Sequence, residues 1–427
     1  MKMKSIKVVT IFLLFFAEHN LLAQSTSHIY VDNIKTVLLH FPGNQLSMPV
    51  INLNSADQLQ LSFDDLDGDT KYYYYTYQLC NSDWTPANIG QFDYIKGFTQ
   101  DRIKDYKYSS VALTRYTHYT ILLPDQNMNL TRSGNYILKV FLNGDTSQLV
   151  FTKRLLVLDS KSDINARIVQ PFDPNLATTH QRIQFTVTTK GLDQLNAAQQ
   201  IKVVVLQNRR FDNAVSDLKP NIVRGNKLEY TNENAAIFRG GREWRYVDLT
   251  DFHLQSDRVL KADYNRHSID VYLRDDRPLT GPYIFYNDLN GAYSIQSVRG
   301  TNPFWEADYA TVYFSFVPPD GIAYKDKDIY LFGQLTSYGL IDSLKMIFNP
   351  GKGKYETHLF LKQGYYNYTY MAVDKNNPAV YSELDGSFFE TENLYTILVY
   401  YKSFGSRADE LIGIGNFNSK AEQPLNY

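Results

Sequence analysis

Apolar and polar residues alternate with period two along most of the chain, and runs at helical spacing are nearly absent. Residues 58–63 read Gln-Leu-Gln-Leu-Ser-Phe, the pattern of a half-buried strand. Residues 71–80 carry tyrosines on both faces, which predicts a strand covered on both sides. Residues 119–123 read as another strand, and those at 135–142 and 148–158 flank Asn143-Gly144-Asp145, a hairpin signal. Together these strands predict a first sandwich over residues 24–160, with the polar Ser160-Lys161-Ser162-Asp163 as a linker. Strands at 181–189, 201–206, 268–273 and 283–286 predict a middle sandwich over 161–303. Residues 311–317, 328–332, 355–361, 365–372 and 394–401 predict a third over 304–427, with Asn349-Pro350-Gly351-Lys352-Gly353 as one of its turns. The predicted class is all-β, a tandem of immunoglobulin-like β-sandwich domains.

The N-terminus breaks this pattern. Lys2, Lys4 and Lys7 precede an apolar run from Val8 to Phe16, and Ala23 offers a small residue before Gln24. That order predicts a cleavable secretory signal over residues 1–23. The run is shorter than the roughly 20 apolar residues of a membrane span. Cleavage would take the formal net charge from -2 to -4, too weak a field to attract nucleic acid or an anionic membrane. Cys80 is the single cysteine, so an exported chain has no internal disulfide and depends on packed cores. The 34 tyrosines and 25 phenylalanines suit half-buried strand positions, with a few left over for contacts.

Candidate chemistry is sparse. Eight histidines lie far apart with no His-Glu-x-x-His, no paired cysteines and no Gly-x-Ser-x-Gly elbow. No catalytic residue, resident metal or cofactor is predicted. Asp64-Asp65-Leu66-Asp67-Gly68-Asp69 is the one dense acidic run. Asp65, Asp67 and Asp69 could wrap a calcium ion, but the spacing is not that of an EF-hand, and a polar β-turn between two strands is the leading expectation. Arg239-Gly240-Gly241-Arg242-Glu243-Trp244-Arg245 brings together residue types enriched at binding hot spots. Arg239, Arg242, Trp244 and Arg245 are therefore candidate partner contacts; the competing expectation is a brace between domains through Asp248 or Asp251. Trp84, in Asn81-Ser82-Asp83-Trp84-Thr85-Pro86, is a further candidate contact or a cap on the first sandwich.

Residues 61–69, Tyr72 to Tyr77 and Cys80-Asn81-Ser82-Asp83-Trp84 resemble the opening of the type IX secretion system plug protein family. The likeness continues through Tyr116-Thr117-His118-Tyr119, residues 133–140, Gln207-Asn208-Arg209-Arg210-Phe211-Asp212 and residues 238–245. The resemblance implies a non-enzymatic periplasmic protein, associated with the outer membrane, that seals the periplasmic opening of a large outer-membrane β-barrel translocon. Residues 328–333, 355–361 and 364–368 are similar to early-set immunoglobulin-like modules that bind glycogen and starch. That second likeness supplies an alternative function, a secreted carbohydrate-binding protein. Here Gln334-Leu335-Thr336-Ser337-Tyr338 stands where those modules place a tryptophan, so Tyr338 is the candidate platform.

Overall fold

The computed structural model describes residues 27–192, 196–254, 256–300 and 302–421; the expected signal at 1–23 lies outside them. The chain is almost entirely β-stranded, as the period-two pattern predicts, and builds three sandwiches.

In the first, the sheet of Ile34–His40, Leu59–Asp65, Thr117–Leu123 and Asp105–Tyr108 faces the sheet built on Tyr73–Cys80, Gly134–Leu142 and Leu149–Leu158. Their inward residues form one core, in which Phe63 stacks on Tyr119 and meets Tyr73 and Phe151 edge-on. These aromatic pairs explain why tyrosines occupy strand positions elsewhere given to valine or leucine.

Beyond residue 159 the sheets do not follow chain order. Ile201–Gln207 pairs along its whole length with Leu394–Tyr401, nearly two hundred residues away, and Glu410–Asn418 completes that sheet. Its partner sheet comes from Ser162–Val169, His180–Thr189, Lys227–Tyr230, Ile222–Arg224 and Ile237–Arg239. One core unites Phe185, Val205, Ile397 and Ile412. The third sandwich is inserted between Ile237–Arg239 and Leu394–Tyr401. There Ile269–Leu273 pairs in parallel with Tyr309–Phe316, and Arg245–Asp248 pairs with Gly364–Asp374. Both pairings cross the expected boundary at 303/304, so the middle and last segments share sheets. Alternation identifies strands and their buried faces, but carries no information about distant partners. The expected linker at 160–163 is also shorter than its composition suggests, because Ser162–Val169 is already a strand.

The insertion leaves the second sandwich through residues 240–244 and returns through 386–393, and the two crossings are laced together. Gly241 N donates to Ser387 Oγ (3.0 Å), Phe388 N to Gly241 O (2.9 Å), and Asn393 Nδ2 to Gly240 O (2.8 Å). Gly240 is required here: a Cβ would lie 1.9 Å from Phe388 O. A neck tied in this way is no free hinge.

Candidate functional site

The concentrations of unusual chemistry lie mainly at the seams between sandwiches. The seam between the first and third is built on Asp64 and Lys362, both fully buried. Asp64 lies on Leu59–Asp65, and Lys362 ends the strand Lys354–Lys362. Lys362 Nζ donates to Asp64 Oδ2 (2.5 Å) and to Phe304 O (2.6 Å), and lies 4.0 Å over the Tyr116 ring. His118 Nδ1 donates to Asp64 Oδ1 (2.6 Å), and Tyr309 OH to Asp64 Oδ2 (2.6 Å). Burial alone would raise the Asp64 carboxyl, but Lys362 and His118 outweigh it and hold it below the ordinary carboxylate range. Thr36 joins through its hydroxyl, 2.6 Å from Tyr309 OH. It holds φ 51°, rare for a β-branched residue, in the bulge that interrupts pairing between Lys35 and Leu38. Beyond the bulge, Leu38 packs into the core of the third sandwich. Gln45 adds a clasp: its carboxamide donates to Ile295 O (2.9 Å) and accepts from Ile295 N (2.8 Å).

The seam between the first and second sandwiches is mainly apolar, with one buried hydrogen bond, from Tyr400 OH to Asn135 Oδ1 (2.8 Å). Leu156, Val204, Leu206, Leu398, Tyr400 and Leu411 form a buried cluster, flanked by half-buried Trp84. Trp84 meets Phe211 edge-on at 5.2 Å, with the Arg154 guanidinium 4.8 Å over the indole. It joins two sandwiches, a contact within the chain. Asp409 closes the seam's rim, accepting from Ser82 N (3.0 Å), Ser82 Oγ (2.7 Å) and Lys202 Nζ (2.9 Å).

The arginine-rich segment turns inward around the neck. Arg245 is buried between Asp276 (2.7 Å) and Asp385 (2.9 and 2.7 Å), so its carboxylates are not the expected Asp248 or Asp251. Trp244 is buried against Phe332 and against Gly291, where φ is 82° and a Cβ would lie 2.7 Å from the indole. Arg242 donates to the carbonyls of Leu279 (2.7 Å) and Pro282 (2.8 Å). Arg239 is exposed and pairs with Glu383 at 3.3 Å. Of the four, Trp244 and Arg245 are buried, Arg242 is half-buried and Arg239 is exposed. Asp288 accepts from Trp244 N (2.5 Å) and Asn290 N (2.6 Å); burial, with Glu392 and Glu243 nearby, lifts its carboxyl to about 7.

The acidic run splits between two roles. Asp64 and Asp65 belong to a strand and are fully buried, not to a surface turn. Asp65, Asp67 and Asp69 do converge, but the Lys71 ammonium sits among them, 2.8 Å from Asp65 Oδ2, in contact with Asp67 and 3.5 Å from Asp69. The turn thus contains its own cation, and a calcium ion would have to displace it. Tyr338 packs half-buried against Trp244 and Phe332, so its ring is not an open sugar platform. Cys80 is buried, which pushes its thiol up to about 12 and disfavours the reactive thiolate.

Lys362, Tyr309, Asp409 and Gln45 were not singled out from sequence. A lysine ending a strand otherwise rich in apolar and aromatic residues was the available signal, but its partner lies 298 residues away.

Residues 34–159 match the model of the type 9 secretion system plug protein first domain. A crystal structure described as a hypothetical protein from Parabacteroides merdae ATCC 43184 superposes with a TM-score of 0.87 at 30% identity, over 92% of this chain and 98% of that one. No curated protein matches.

Proposed function

Because this chain belongs to the type 9 secretion system plug protein family, we propose that it works as a non-enzymatic periplasmic plug that docks on the outer-membrane β-barrel translocon and seals its periplasmic opening. The observation that carries this reading is the set of seams: each pair of sandwiches is joined by buried contacts, and the neck of the inserted one is tied by hydrogen bonds. A sealing body has to resist deformation across a wide opening. Three sandwiches closed on one another meet that need better than beads on flexible linkers, whose relative motion is the default. Affinity would come from a few anchors inside a polar rim, not from area.

An affinity-tagged full chain, extracted gently from cell envelopes, is expected to bring down an outer-membrane barrel of the type IX system. Deleting the gene is expected to make the outer membrane leakier to large antibiotics. Recovery of a barrel-free monomer together with unchanged antibiotic sensitivity overturns the reading.

A further inference from the structure

Arg182 is the most anomalous charge in the molecule. It lies in the strand His180–Thr189 of the second sandwich, on the face turned away from the core, yet is only 2% exposed. The register places Val169 and Ile237 directly opposite it on the two neighbouring strands. Paired residues of antiparallel strands project to the same side, so the guanidinium stands in a well between two aliphatic side chains. Phe172 roofs the well, its ring 4.3 Å from Arg182 Cζ, while the phenylalanine itself is 65% exposed.

Two of the three guanidinium nitrogens find no partner among the described residues. Arg182 Nε and Nη1 are buried with no hydrogen-bond acceptor. Two acceptors close to it along the chain have donors of their own: Gln184 Oε1 receives Arg167 Nε (2.8 Å), and Asp173 Oδ1, in the loop that bears Phe172, receives Asn175 N (2.9 Å). Across the same face Arg239 is paired with Glu383. A cation–π contact is worth about 0.5–2 kcal/mol, whereas stripping water from an ion costs several kcal/mol. Phe172 therefore does not compensate the burial of Arg182. A buried guanidinium held at such a cost, under a solvent-exposed lid, has the form of a site kept for an anion.

We infer that Arg182, roofed by Phe172, is a docking site for a single carboxylate carried by an acidic side chain of a partner polypeptide. A planar guanidinium takes a carboxylate through two parallel N–H bonds. A monoanion matches the one unpaired charge; a phosphate dianion would bury surplus negative charge in the same well. Phe172, swung aside, supplies an apolar contact for the residue next to the acid. The site stands on observations separate from those behind the plug reading, and it holds whether or not the chain closes a translocon.

The test uses the full chain and an acetylated, amidated five-residue peptide of alternating valine and glutamate, titrated by calorimetry beside its glutamine counterpart and inorganic phosphate. The glutamate peptide is expected to bind, and the glutamine peptide to bind at least about tenfold more weakly, a difference of about 1.4 kcal/mol. Arg182→Met is expected to abolish binding while leaving Tm equal to or above that of the wild type, because it removes an unpaired buried charge. Phe172→Ala keeps the guanidinium and is expected to retain the preference for glutamate over glutamine. Binding unchanged in Arg182→Met, phosphate bound as tightly as the peptide, or no binding at all overturns the inference. So does a fall in Tm of about 3 °C or more in Arg182→Met, which would make the arginine a structural residue.

Discussion

The first sandwich meets its two neighbours by opposite means. Toward the second it offers Leu156, Leu158 and the Trp84 indole, which meet leucines and a tyrosine of the second in a mainly apolar seam. Toward the third it offers a fully buried carboxylate that needs one lysine, one histidine and one tyrosine at fixed positions. Apolar burial is non-directional and tolerates small shifts. A buried ion pair tolerates none, because any misalignment leaves a charge without compensation. The apolar seam supplies adhesion and the ionic seam supplies a unique orientation. A body that must fit one opening needs both.

The sharpest way to break that contrast is Lys362→Met. It strands Asp64 in a dry seam, for which a loss of about 3–5 kcal/mol is expected. Calorimetry should show the first sandwich melting apart from the other two. Adding Asp64→Leu to Lys362→Met removes the orphaned charge and should recover much of the loss. If the single variant melts as the wild type does, the ionic seam has no orienting role. On the apolar side, Leu398→Ala is expected to cost about 2–4 kcal/mol through lost burial and a residual cavity. Because no charge is stranded, the three sandwiches should still melt together; a split transition would show that the two seams do not differ in kind.

Acid sharpens the same comparison. The folded-state Asp64 carboxyl lies below its unfolded value of about 3.9, so its contribution is present above that pH and is lost as pH falls through the depressed folded value. The apolar cluster has no carboxylate of its own, although Asp409 on its rim is also held low, by Ser82 and Lys202 against the effect of burial. Hydrogen exchange between pH 5 and pH 2.5 is therefore expected to expose Thr117–Leu123 and Lys354–Lys362 before Ile201–Gln207 and Leu394–Tyr401. Simultaneous loss in both places would mean that the rim, not the leucines, holds the second seam.

Strands and their buried faces were legible in the sequence because alternation is a local property. The inserted topology was not. Residues 201–206 and 394–401 each read correctly as strands, yet nothing in either names the other as its partner. The acidic run illustrates the same limit at a single residue. Asp64 and Asp65 look like a solvated turn until Lys362, Tyr309 and Lys71 are placed beside them in space. In the arginine-rich segment, residue type suggested hot spots, while burial assigned Trp244 and Arg245 to the neck. Arg and Trp are enriched at interfaces within a chain for the same reasons as at interfaces between chains. Arg182 escaped notice altogether, since an arginine on the outward face of a strand has no sequence signal that separates exposed from buried.

The smallest expected effect is at the rim of the apolar seam. Trp84 is half-buried, holds φ 67°, and meets Phe211 edge-on with Arg154 above it. An edge-on aromatic pair contributes about 0.5–1.5 kcal/mol beyond its buried area, and a partly exposed cation–π contact about 0.5–1 kcal/mol. Relief of the left-handed backbone offsets part of that loss only if the replacement is glycine or asparagine. Trp84→Ala is thus expected to cost about 1–2 kcal/mol, and Trp84→Gly somewhat less at the backbone while losing the same ring contacts. If the indole instead serves as a partner contact, both variants should leave Tm nearly unchanged and weaken recovery of the barrel in pull-downs. The order of the two Tm values against that of the pull-down yields separates a brace between sandwiches from an outward anchor.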